Sequence, residues 1–409
     1  MGPQSHLRTA GKAMLFNAPA ARKILFGFLV TGMLMAFLGA ILPAWGYHLH
    51  SDYLTVGNFF LAMNAGILAA IRAVRAMLAR WTLRVVLVCG ASLAAAALLY
   101  LAAVPPTAHP LWRMAGVCLL GLSAGTLSSS LLHALSPLYR HEPAATLTLA
   151  GTFFGSGCWL TAVMVAGAYY VYTVPSILVL MATVPGFLAG LYARSDFQPP
   201  PPPPHRPWKE ALADFRSPTA VLFAGLLFLQ FGNEWAIAGW LPVFLVQRLG
   251  VSPATSLKLL AMYWFFLLAG RAAVQWLLPR VRHSRLLFCS ALGAVLGCAI
   301  LSFTNNRFGA GTGVVLVGLS YAAIYPLVAE NIRNAFPYYH PGFASGIFAL
   351  AFTGALLAPW SLGVCAHYWG IRIVMLLPLA GSVIVFALLM ALWLVARLTA
   401  APQVKAAAG

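Results

Sequence analysis

Acidic residues are nearly missing from this chain. Its 409 residues include 7 Asp and Glu against 25 Lys and Arg, and charged residues of all kinds make up 8%. A soluble globular chain carries about a quarter, so there is too little polar surface here to coat a water-facing domain. The six cysteines (Cys89, Cys118, Cys158, Cys289, Cys298, Cys365) form no Cys-x-x-Cys pair. That removes the usual frameworks for structural zinc or a disulfide-stapled domain, and they read as small packing residues. There is no Gly-x-Ser-x-Gly, no His-Glu-x-x-His, no phosphate-binding P-loop and no cluster of acids for a metal. The chain therefore does not read as an enzyme, and no metal or cofactor is implied. The nearest thing to a metal cluster, His48, His50 and Asp52, falls in a loop and reads as a solvated group. The first residues lack a short apolar core before a small-residue cleavage site, so no removable signal peptide is expected.

What is abundant is apolar. Hydrophobic residues make up 61% and the mean hydropathy is +0.86. The apolar runs are helix-length for a hydrocarbon core of about 30 Å, and none alternates as a barrel strand would. Twelve spans are expected, at roughly 24–47, 53–71, 84–104, 111–137, 144–169, 172–193, 218–246, 253–276, 284–303, 309–333, 342–366 and 371–396. The fold class is thus an all-α membrane protein.

A net charge of +18 invites a nucleic-acid reading, but twenty of the 25 basic residues fall at the termini and in even-numbered loops. That bias is the positive-inside signature. It predicts a multi-pass protein of a bacterial inner membrane, with both termini cytoplasmic and the lipid bilayer, not nucleic acid, as its surroundings.

The one long polar connection, 194–217, holds six consecutive prolines, Pro199–Pro204. They should form a stiff extended spacer, and WKEALADF after them could be a short interfacial helix. The expected layout is a cytoplasmic segment 1–23, a six-helix bundle 24–193, the cytoplasmic linker 194–217, a second bundle 218–397 and a cytoplasmic tail 398–409. The halves repeat. Leu42-Pro43 precedes Leu241-Pro242 by 199 residues, Leu61-Ala62-Met63 precedes Leu260-Ala261-Met262 by 199, and Gly121-Leu122-Ser123 precedes Gly318-Leu319-Ser320 by 197. Arg72 meets Arg271 at the same offset of 199. A parallel repeat of this kind places a solute site between the halves, near midplane.

Only one acid lies deep in a span: Glu234, in GNEWAIAGWLPVFL. A charge there costs several kcal/mol, so such residues usually face a cavity and have a task. A carboxylate that takes a proton on one side and releases it on the other is what a proton-coupled transporter needs; the alternative is a protonated acid bonded to a helix neighbour. No Lys or Arg is evident at matching depth. Gln230, Asn233, Glu234 and Ile237 share one helical face, while Gly239 and Pro242 weaken the helix just beyond. In span 5, Thr148, Thr152, Ser156 and Trp159 form a hydroxyl stripe ending in an aromatic, beside glycines that equally suit close packing. Tyr263, Trp264, Tyr321 and Tyr325 offer aromatic faces that suit a sugar or belong to the core. His133 and Glu330 occupy matching places (offset 197) near the cytoplasmic ends of spans 4 and 10 and are candidates for a gate or proton path. Arg72 and Arg271 either bridge helices at that face or simply hold it inside.

Two six-helix bundles, a long central linker and basic loops after spans 2 and 8 resemble the major facilitator superfamily. The loop IRAVRAMLARWTLR departs from that family's usual pattern, lacking its acid and glycines; the loop after span 8 keeps Gly270-Arg271. The second half is more specific. Glu234 before Gly239-Trp240-Leu241, Pro326 in span 10, and Gly354-Ala355, Pro359 and Gly363 in span 11 are similar to the fucose permease-like branch, which includes sugar–proton symporters. The resemblance covers most of 220–375. It implies alternating access and proton-coupled movement of a sugar or similar polar solute by a monomer. The namesake's acids in spans 1 and 4 have no counterpart here, so coupling would run through Glu234 or a histidine. Sodium stays open as the coupling ion, and export of drugs or amphipathic metabolites stands as the alternative function.

Overall fold

The computed structural model describes residues 19–49, 52–141, 143–197, 215, 217–335 and 346–406. Among these there are thirteen helices and no strand. In chain order they are α1 (Pro19–Met35), α2 (Phe37–Ile41), α3 (Tyr53–Arg80), α4 (Leu83–Ala103), α5 (Pro110–His141), α6 (Pro143–Ala168) and α7 (Val174–Ala193). Then follow α8 (Pro218–Leu249), α9 (Pro253–Leu277), α10 (His283–Phe303), α11 (Arg307–Ala335), α12 (Gly346–Trp369) and α13 (Ile373–Ala406). The eleven helices α3 to α13 are long and apolar enough to cross a membrane. The twelfth span is α1 with α2. Ala36 separates them with ψ near −3°, yet its N–H still donates to the Gly32 carbonyl at 3.0 Å. The two pieces form one locally loosened rod.

Helix ends depart from the expected spans in an instructive way. The loop expected after span 2 is helix: α3 continues to Arg80, because AIRAVRAMLAR contains only helix-compatible residues and neither Gly nor Pro. The helix expected to weaken at Pro242 does not stop there. α8 runs through Pro242 and ends at Leu249, capped by Gly250 at φ +60°, a conformation that favours glycine. Likewise α13 runs to Ala406, well into the expected tail. The Pro199–Pro204 run and all of WKEALADF except Phe215 lie outside the described residues, as do Glu142 and His50.

The chain divides into two compact units. Unit 1 comprises Met1–Pro203 with Ser252–Trp264; unit 2 comprises Pro204–Val251 with Phe265–Gly409. Helix α9 therefore contributes to both. In unit 1, α1 packs on α6, α3 on α5, and α4 on both α5 and α7. In unit 2, α8 packs on α12 and α13, and α10 on α11 and α13.

In lipid the hydrophobic effect does not drive helices together, so close packing and hydrogen bonds must. Glycines make that packing. A Cβ on Gly157 of α6 would overlap the Leu29 carbonyl of α1, and one on Gly354 of α12 would overlap the Phe228 carbonyl of α8. These two contacts repeat at the sequence offsets: Leu29 and Phe228 differ by 199, Gly157 and Gly354 by 197. Side chains then tie the backbones. In unit 1, Thr161 donates to the Met33 carbonyl at 3.1 Å, and the Cys158 thiol to that of Gly32 at 3.3 Å. In unit 2, the Trp240 indole N–H donates to the Pro359 carbonyl at 2.8 Å.

Candidate functional site

Glu234 is the seventeenth residue of the 32-residue helix α8, about 24 Å along its axis from Pro218. Packing fixes how α8 is turned. Gly232 lies against Gly354 and Ala358 of α12, and Asn233 against Gly381 of α13, where any Cβ would strike its amide. Glu234 points to α9: its Oε1 lies 3.9 Å from an Nη2 of Arg271. At 100° per residue, Gln230 projects about 40° from Glu234 and Asn233 about 100°, on the same side. Gln230 thus sits one turn away, between the directions of the other two.

All three are buried: Gln230 is 0% exposed, Asn233 6% and Glu234 7%. Among the described residues, neither amide atom of Gln230, nor the Asn233 amide nitrogen, meets a hydrogen-bond partner. Buried polar groups are nearly always satisfied, by protein, water or ligand. Two such amides within one turn, beside a buried carboxylate, form a polar cluster that packing alone does not call for.

Arg271 corrects the sequence reading, which saw no cation at the depth of Glu234. Because α9 continues to Leu277, Arg271 lies inside the helix, about 9 Å from its end, and its side chain is only 26% exposed. The signal was an arginine within an apolar run, LLAGRAAVQWLL, inside the expected span 253–276 but read only as bridging helices at the cytoplasmic face or holding that face inside. At 3.9 Å the pair is a charge contact looser than a close hydrogen-bonded salt bridge.

The aromatic candidates separate. Tyr325, half-buried on α11, meets the ring of Phe231 at 4.9 Å, and Phe231 also meets Phe348 of α12. These three rings lie next to the polar cluster along α8. Phe231 and Phe348 escaped the sequence reading because neither stands out in an aromatic-rich chain. Tyr321 is interior, 1% exposed, with its hydroxyl 3.0 Å from Ser382 and 3.3 Å from the Cys298 sulfur. Tyr263 and Trp264 of α9 are also buried, and their rings meet edge to face at 5.3 Å.

The α6 stripe belongs to unit 1. Thr152 donates to the Thr148 carbonyl and Ser156 to that of Thr152, so both hydroxyls are satisfied within their own helix. Thr152 is exposed, while Ser156 and Trp159 are half-buried. Packing on α1 falls to a different face, that of Gly157, Cys158 and Thr161. Of the remaining candidates, His133 is half-buried on α5 and Arg72 is exposed on α3. Glu330 meets His283 at 3.3 Å, both partly exposed. Asp52, from the loop histidine group, caps α3 by accepting from the Thr55 N–H at 3.2 Å. His48 is held below its usual pKa by burial, opposed by a hydrogen bond to the Pro43 carbonyl. Among the described residues no group of side chains is arranged to hold a metal.

A family model described as the Major Facilitator Superfamily matches residues 24–359, and the chain belongs to that superfamily. It is a multi-pass integral membrane transporter and not an enzyme. No curated protein matches it in sequence. Among solved structures it is similar to the nucleoside transporter NupG, with a TM-score of 0.68 at 12% identity over 92% of this chain and 99% of that one. A D-xylose–proton symporter gives 0.68 at 12% identity over 89% and 95%. The E. coli fucose:proton symporter FucP gives 0.61 at 15% identity over 91% and 98%. At such identities the likeness is one of fold.

Proposed function

We propose that this transporter moves a sugar or similar small polar solute, coupled to protons through Glu234. The observation that carries this reading is the Glu234–Arg271 pair inside unit 2, flanked by buried amides that meet no hydrogen-bond partner among the described residues. A lone carboxylate in a membrane span is costly; one set at 3.9 Å from a guanidinium has two states of different charge. Ionised, it compensates Arg271. Protonated, it leaves that cation to the other groups of the site. This dependence is the coupling element. The amides of Gln230 and Asn233 supply donors and acceptors for hydroxyl groups, and the Phe231–Tyr325–Phe348 rings supply apolar faces for a sugar's C–H edges. The solved structures that share the fold include a xylose and a fucose symporter, in keeping with this substrate class.

The test is proton movement into proteoliposomes of the purified protein as a panel of sugars and nucleosides is added. Solute-evoked proton uptake that Glu234→Gln abolishes is the expected result. Uptake unchanged in Glu234→Gln rejects the coupling role and moves it to a histidine such as His133. Transport of lipophilic cations, with no response to any polar solute, rejects the substrate class.

A further inference from the structure

The segment IRAVRAMLARWTLR, which lacks the acid and glycines of the family's usual pattern, has no part in the site on α8 and α9. The 28 residues of α3 run about 42 Å, longer than a hydrocarbon core of about 30 Å. Counted from Tyr53, the roughly 20 residues that fill such a core end near Arg72. The last two turns of α3 therefore stand at headgroup depth.

Those turns present one cationic face. Arg72, Arg75 and Arg80 are exposed, as are the alanines between them, while Val74 is buried. At 100° per residue the three arginines fall within an arc of about 140°, over a rise of about 12 Å. Trp81 follows, 50% exposed, and Arg84 at the start of α4 is exposed as well. A tryptophan suits that depth, with an apolar ring and an N–H donor. Arg84 meets Asp196 at 3.4 Å, but both side chains are exposed, and such a pair is weak. Higher in the span the same face is apolar. Leu61, Ala65 and Leu68 are exposed there, within about 40° of the direction of Arg72. Packing falls on the other side of α3, where Gly66 meets the Cys118 carbonyl of α5, and Ile67 and Ala70 meet Gly125. No acid occurs from Tyr53 to His141. The termini and even-numbered loops hold twenty Lys and Arg against Glu142, Asp196, Glu210 and Asp214, with Glu330 at the end of a span. An excess of cations remains however these pair.

We infer that this face of α3 binds an anionic phospholipid. Its phosphate lies among Arg72, Arg75, Arg80 and Arg84 beside Trp81, and its acyl chains run along Leu61, Ala65 and Leu68. Guanidinium forks match phosphate oxygens, and basic residues next to a span attract anionic headgroups. The apolar stripe continuing from the arginines makes the source of the phosphate a lipid and not a soluble ester. Neither Glu234 nor the identity of the solute bears on this surface.

The experiment heats the full chain in a neutral detergent after titration with dioleoyl phosphatidylglycerol, dioleoyl phosphatidylcholine or glycerol 1-phosphate. Phosphatidylglycerol should raise the unfolding temperature at concentrations where the other two do not. Arg75→Gln combined with Arg80→Gln should weaken that protection about tenfold or more. Arg75→Lys combined with Arg80→Lys keeps the charge and should retain most of the protection, which separates lost binding from a folding defect. Arg282→Gln combined with Arg285→Gln removes the same charge from exposed positions at the start of α10 and should change little. Phosphatidylglycerol with brominated acyl chains should quench a component of the tryptophan fluorescence that Trp81→Phe lacks. Equal protection by phosphatidylcholine, undiminished protection in the Arg75→Gln, Arg80→Gln pair, or an equal loss in the Arg282→Gln, Arg285→Gln pair would overturn the site and leave only a general attraction to basic loops. Protection by glycerol 1-phosphate that matches the lipid's would make the ligand a soluble phosphate and overturn the lipid assignment.

Discussion

In unit 1 the helix pair α1–α6 is closed by Gly157 on the Leu29 carbonyl; in unit 2 the pair α8–α12 is closed by Gly354 on that of Phe228. The scaffolds repeat, but the residues they bury do not. At an offset of 199, Gln230 corresponds to Thr31, Asn233 to Leu34 and Glu234 to Met35. Thr31 is 1% exposed and satisfied by its own helix, donating to the Gly27 carbonyl at 2.9 Å. Leu34 is buried and apolar, and Met35 is apolar too. At these three positions unit 1 meets its packing needs with groups that ask nothing of their surroundings. Unit 2 meets the same needs while burying two amides and a carboxylate that cannot be satisfied in that way. Arg72 and Arg271 follow the same split: one is exposed on α3, the other faces an acid. The helix contacts that the two units share do not account for the polar groups of unit 2, which on the proposed reading serve transport.

The comparison can be broken from either side. Met35→Glu places an acid in the equivalent position of unit 1, where Arg72 is exposed. Its cost should be the largest, about 3 kcal/mol, from a charge placed at a half-buried position between membrane-spanning helices, seen as a drop in thermal stability in detergent that Met35→Gln does not show. Gly157→Val and Gly354→Val should each cost about 2–3 kcal/mol through overpacking against backbone. Equal losses would confirm that the two contacts are equivalent, and a loss in one alone would show that they are not. Gly381→Ala should cost about 1–2 kcal/mol by displacing the Asn233 amide, and it should weaken solute protection more than Gly354→Ala does at matched stability. Tyr321→Phe removes hydrogen bonds to Ser382 and Cys298 and should cost about 1 kcal/mol, with little change in transport if Tyr321 serves the interior and not the solute.

Much of this was legible in the sequence. Hydropathy and the placement of arginines are one-dimensional signals, so the membrane class and the number of spans could be read directly. The repeat was legible from Leu42-Pro43 and Leu241-Pro242, and Glu234 stood out because acids are so few. Its partner was not legible, since a contact between α8 and α9 depends on how each helix is turned about its axis. That turn is set by Gly232, Gly354 and Gly381, whose role shows only when backbones meet. The hydroxyl stripe of α6 illustrates the same limit. Its spacing fits packing and ligand contact alike, and only the structure shows Gly157, Cys158 and Thr161 taking the packing face. Pro242 misled for another reason: a proline inside a helix removes one hydrogen bond, and with its neighbours packed around it α8 stays helical through it.

The central claim is that Glu234 couples the solute to the proton while the repeated scaffold merely holds it. The most direct measurement compares uphill accumulation with counterflow exchange of one solute in wild-type and Glu234→Gln proteoliposomes. The account predicts that the variant loses accumulation under an imposed pH gradient and keeps exchange, because the amide stands in for the protonated acid. Accumulation that survives in the variant would contradict it.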